Sequence, residues 1–84
     1  MSWNNRIFRH VLNGEHRYAL HETFYEANAG LIKAWTKEPV TEFSESIDEL
    51  IQDLEQKLAD AKRFRNTVLL PDATTEENNE LAKG

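Results

Sequence analysis

Apolar and polar side chains fall into two regimes along the chain. Up to residue 36 they come in short runs rich in β-branched and aromatic types, and from residue 46 they recur at helical spacing. The first run, residues 5–12 (Asn-Arg-Ile-Phe-Arg-His-Val-Leu), ends at Asn13-Gly14, and the second, residues 17–25 (Arg-Tyr-Ala-Leu-His-Glu-Thr-Phe-Tyr), follows it. Asn-Gly between two such runs signals a hairpin, because both residues accept the positive φ of a type I′ turn. Asn28-Ala29-Gly30 is the next break, and residues 31–36 form a third run. Pro39 then ends the pairing, since proline has no N–H to give to a ladder. The first 36 residues therefore predict a three-stranded antiparallel meander, and residues 37–45 a loop.

Ser46-Ile47-Asp48-Glu49 reads as a capping box opening a helix. From there Ile47, Leu50, Ile51, Leu54, Leu58 and Ala61 fall at i, i+3, i+4, i+7, i+11 and i+14, which is one apolar stripe on an α-helix. Asp48 and Glu49 suit its positive end and Lys62 and Arg63 its negative end, with Asn66 placed to close it. Thr67-Val68-Leu69-Leu70 is short, β-prone and stopped by Pro71, so it could form a short fourth strand, and the sequence leaves this open. Residues 71–84 are polar, acidic and aperiodic, and are expected to be a disordered tail. The expected architecture is α+β in one domain over residues 1–70. A three-stranded antiparallel meander carries one amphipathic helix on one face, in the order β-β-β-α-β.

Alternation separates two faces of the hairpin. Trp3, Ile7 and Val11 share one face with Tyr18, Leu20 and Phe24, while Arg6, Phe8, His10, Leu12, Ala19, His21, Thr23 and Tyr25 share the other. The first set is the more apolar, so the helix is expected against it, with Asn5, Arg9 and Glu22 either near the rim or paired together, because an unpaired buried charge is costly. Two registers remain open. A two-residue Asn13-Gly14 turn pairs Ile7 with Leu20 and Arg9 with Tyr18, and turn chemistry favours it. A six-residue loop pairs Arg9 with Glu22 and His10 with His21, and cross-strand side-chain chemistry favours that.

Composition narrows the function classes. The chain has 84 residues, 39% of them hydrophobic, no cysteine and a net charge of −5. Disulfides, zinc–thiolate sites and thiol catalysis are excluded. No apolar run approaches the roughly 20 residues that a membrane-spanning helix needs, and the first residues lack a signal-peptide layout, so a cytoplasmic protein is expected. Residues 1–37 carry five basic side chains against three acidic ones, and residues 38–63 eight acidic against three basic. Such an acidic chain argues against non-specific nucleic-acid binding, which needs clustered Lys and Arg.

Little in the chain points to catalysis or metal. His10, His16 and His21 have no regular ligand spacing, and they read as surface histidines of an open sheet face. His21-Glu22 cannot be an acid–base dyad, because strand neighbours point to opposite faces. Ser46 is explained as a cap, and three glycines leave no phosphate-binding loop. No catalytic residue, cofactor or metal is expected. Arg6, Phe8, Arg9, Arg17, Tyr25 and Lys33 interleave cations with rings, as single-stranded nucleic-acid binders do, but they do not share one face. A single helix leaves one side of the sheet bare, and Phe8, Leu12 and Tyr25 on that side are the expected interaction surface.

Tyr18-Ala19-Leu20-His21-Glu22-Thr23-Phe24-Tyr25, Trp35-Thr36-Lys37-Glu38-Pro39-Val40, Glu45-Ser46-Ile47-Asp48-Glu49-Leu50 and Thr67-Val68-Leu69-Leu70 appear in that order. Across residues 3–70 this resembles a family of small uncharacterised bacterial proteins with a Tyr-Ala-Ile-His-Glu strand, a Trp-Thr strand, a Pro-Val loop, a capped helix and a terminal Val-Leu. The chain departs from that pattern at Ala27 to Gly30 and at Phe64-Arg65-Asn66. The element order is also similar to that of HicB antitoxins, which implies oligomers and a partner nuclease, although the segment common before the HicB helix is absent. The expected function is that of a non-catalytic protein-interaction domain, self-associating as a homodimer. RNA or single-stranded nucleic-acid binding, or a HicB-like antitoxin role, is the alternative.

Overall fold

The computed structural model describes residues 2–27, 30–41 and 44–83. Asn13 (φ 52°) and Gly14 (φ 79°) take the left-handed turn that their residue types allow. This fixes a two-residue hairpin between β1 (Ser2–Leu12) and β2 (Glu15–Tyr25). Ile7 pairs with Leu20, Phe8 with Ala19 and Arg9 with Tyr18, so the two-residue register holds. Strand β3 (Ile32–Trp35) adds to β2 antiparallel across an irregularity at Phe24/Tyr25, giving the sheet order β1-β2-β3. The pairing runs on as Thr36 N–H to Glu22 O and Val40 N–H to Leu20 O, both 2.9 Å. Asn28 and Ala29 of the second break, and Glu42 and Phe43 of the loop, lie outside the described residues.

The apolar stripe forms helix α1 (Ile47–Arg63), as its spacing predicts, capped by Ser46 Oγ, which accepts from Glu49 N–H. Glu49 Oε2 accepts from Glu45 N–H rather than from Ser46, so the reciprocal half of the box is shifted by one residue. The helix ends at Phe64 through its N–H to Asp60 O. Among the described non-glycine residues only Asn13 has positive φ, so Asn66 is not the left-handed cap it was expected to be.

Two expectations about layers are overturned and one open point is settled. First, α1 does not lie on a face of the sheet; it runs beside the outer edge of β1. Its buried Asp60 accepts from both the Asn5 backbone N–H (3.0 Å) and Asn5 Nδ2 (3.1 Å). Second, residues 67–70 do not add a full strand. Leu69 makes a single parallel bridge to Phe8, through Arg9 N–H to Leu69 O and Leu69 N–H to Ile7 O. Third, the tail is not disordered from residue 71. Residues Thr75–Ala82 form helix α2, opened by a full capping box in which Thr74 and Glu77 exchange side-chain and backbone bonds.

The C-terminal segment therefore roofs the face that was expected to be bare. Two consecutive asparagines hold it there. Buried Asn78 accepts from Leu70 N–H (3.0 Å) and donates to Leu70 O (2.9 Å). Asn79 does the same for Ile32, on the free edge of β3 (2.7 and 3.2 Å). Each amide imitates the donor–acceptor pair of a neighbouring strand; Asn79 does so on the edge of β3, while Leu69 and Asp60 bond to the outer edge of β1. Beneath the roof, the buried apolar side chains among the described residues are Phe8, Ile32 and Leu69, packed by Tyr25, Trp35 and Ala82.

Several polar side chains buried on this face bond to one another. Arg6 donates to Tyr25 Oη (3.0 Å) and Thr67 Oγ1 (3.1 Å), with its guanidinium 3.8 Å over the Phe64 ring. The Tyr25 hydroxyl donates in turn to Asn4 Oδ1 (2.6 Å). Counting apolar residues pointed to the other face; these pairings, and the Leu69 that the returning chain supplies, decided for this one.

Candidate interaction surface

Helix α1 meets the sheet along β1 and helix α2 meets it along β3. On α1, Asp60 faces the strand. Ile47, Ile51, Leu54 and Leu58 stand about 120–180° round the helix from it at roughly 100° per residue. That is the solvent side, where the four are 76%, 47%, 47% and 56% exposed. Only Leu50 and Ala61 of the stripe are partly covered. The helix thus turns its apolar side away from its own sheet.

The uncovered face of the sheet is apolar as well. Trp3, Val11 and Tyr18 are exposed on it, and Ile7, Leu20 and Phe24 are half-buried. Complete burial of a Leu, Ile or Val side chain is worth about 1.5–3 kcal/mol. The exposed stripe and face therefore hold more unspent hydrophobic driving force than the small core of Phe8, Ile32 and Leu69 uses.

The three residues expected to form the interaction surface do not form one. Phe8 is fully buried at the centre of the core. Tyr25 is half-buried, with its hydroxyl engaged between Arg6 and Asn4. Leu12 alone is exposed, at the hairpin end. The exposed apolar side chains lie instead on the other parity of the same strands and on the stripe already visible in the sequence. What was missing was the knowledge that residues 67–82 occupy the first face.

The cation-and-ring set does not assemble either. Arg6 and Phe8 are buried, and Arg17 is ion-paired with Glu15 at the hairpin end. Instead an open cleft of about 1010 Å³ lies between the hairpin end, residues 35–39 and residues 70–73, lined among others by Arg9, His10, Arg17, Trp35 and Lys37.

His10, in the lining of this cleft, meets the buried His21 despite the two-residue register. His10 reaches diagonally past Ala19, whose methyl group leaves room, and the two Nε2 atoms are 2.9 Å apart with the rings stacked. His21 Nδ1 lies 2.8 Å from the Thr36 carbonyl oxygen. That oxygen can only accept, so His21 carries its proton on Nδ1 and its Nε2 accepts from His10 Nε2–H. Burial pushes the His21 pKa below 6.5. The Thr36 carbonyl opposes this, a charge on His10 adds to it, and Glu38 opposes it more weakly. His16 is exposed on the opposite face, and among the described residues no three His, Cys, Asp or Glu side chains converge as metal ligands would.

Among the described residues no helix is long and apolar enough to cross a membrane. No family model, curated protein or solved structure matches the chain.

Proposed function

We propose that this chain is a non-catalytic protein-interaction domain that associates with itself, using the solvent side of α1 and the uncovered face of the sheet. One observation carries the reading: four large aliphatic side chains at coiled-coil spacing stand exposed on a well-capped helix. Contiguous apolar surface of this kind marks contact sites.

The test is Leu54→Asp, with Leu58→Asp as its replicate. Both side chains are exposed in the single chain, so the substitutions leave the fold intact by circular dichroism. Light scattering after gel filtration is expected to show an associated wild type and monomeric variants. Variants that associate as the wild type does would refute the reading. A second reading, single-stranded nucleic-acid binding, is favoured only by the Arg9, Arg17, Lys37 and Trp35 cleft, and its mark is oligonucleotide binding that weakens steeply with salt.

A further inference from the structure

Resting on that self-association, we infer that the partner seated on α1 is the α1 of a second copy, running antiparallel about a two-fold axis near Leu54. Ile47, Ile51, Leu54, Leu58 and Ala61 follow one another at steps of four, three, four and three, the repeat of a coiled-coil seam. Antiparallel about Leu54, Ile47 is level with the second copy's Ala61, Ile51 lies one residue from level with its Leu58, and Leu54 meets itself. The most exposed residue of the seam, Ile47, thus falls against its smallest residue, Ala61.

Charge fixes the direction. The first turn of α1 carries Asp48 and Glu49 and the last turn Lys62 and Arg63. Antiparallel pairing sets each acidic turn beside the second copy's basic turn, whereas parallel pairing sets like beside like at both ends. An isologous contact of this kind closes as a dimer and does not propagate. Asp60, on the far side of the helix, keeps its bonds to Asn5 in either copy.

The chain has no cysteine, so single introduced thiols report the geometry. Ile47→Cys and Ala61→Cys are prepared separately and oxidised alone and as a mixture. Residues 47 and 61 are about 21 Å apart along the helix. The antiparallel pair is therefore expected to give the mixed cross-link as the main product, at least tenfold above either variant alone. Efficient self-cross-linking of Ile47→Cys and of Ala61→Cys would overturn the direction and leave the self-association standing. A dimer that cross-links at neither position would move the contact to the sheet face and overturn the helix pairing. A wild-type chain that is monomeric at every concentration would overturn the self-association itself.

Discussion

At the scale of single residues, the fold is held by polar side chains placed where backbone groups need them. Asp60 takes the outward N–H of Asn5, Asn78 and Asn79 each take both backbone groups of one residue, and His21 takes the Thr36 carbonyl. None of these roles was legible in the sequence. An asparagine or aspartate announces nothing about a backbone group dozens of positions away, as Asp60 and Asn79 show. The Asn13-Gly14 turn was legible because its cause is local. His21 has a measurable consequence. With its folded-state pKa held below 6.5 by burial, the unfolded chain binds the proton first. Stability is expected to be highest above pH 6.5, to fall as the pH drops through that value, and to level off below the folded-state pKa. Urea midpoints between pH 7.5 and 5.5 check this, and His21→Asn should flatten the decline while His16→Asn should not. Stability that rises on acidification would contradict the tautomer and burial assigned here.

At the scale of elements, α1 was the clearest signal in the chain and α2 the most thoroughly hidden. Helix α1 has both an apolar stripe and a cap. In α2 the apolar period is nearly absent, although Thr74-Thr75-Glu76-Glu77 has the spacing of a capping box. Its docking depends on Asn78 and Asn79, which hydropathy reads as exposed. The stripe of α1 was read correctly as apolar and wrongly as internal: periodicity says which side of a helix avoids water, not which molecule provides the cover. Because Asn78 anchors α2 to Leu70, Asn78→Ala leaves two backbone groups without partners and is expected to destabilise the chain by about 1–3 kcal/mol. Denaturant unfolding measures it. An unchanged midpoint would mean that α2 contributes nothing to the roof over Phe8.

At the scale of the whole molecule, one side of the sheet is sealed by the returning chain, while the other side and the stripe of α1 remain open. The same alternation that defines two faces of the hairpin left their assignment undetermined, since the covering residues come from the far end of the sequence. With Leu69 and Asp60 bonded to the outer edge of β1 and Asn79 to that of β3, strand addition at those positions is blocked, and the stripe of α1 and the open face are the apolar surfaces that remain exposed. The proposed self-association is the reading on which the helix pairing rests. Sedimentation equilibrium of the unmodified chain over a wide concentration range measures it directly. The expected result is a mass near twice 9.8 kDa that declines toward 9.8 kDa on dilution. A constant 9.8 kDa up to the highest concentration would contradict it.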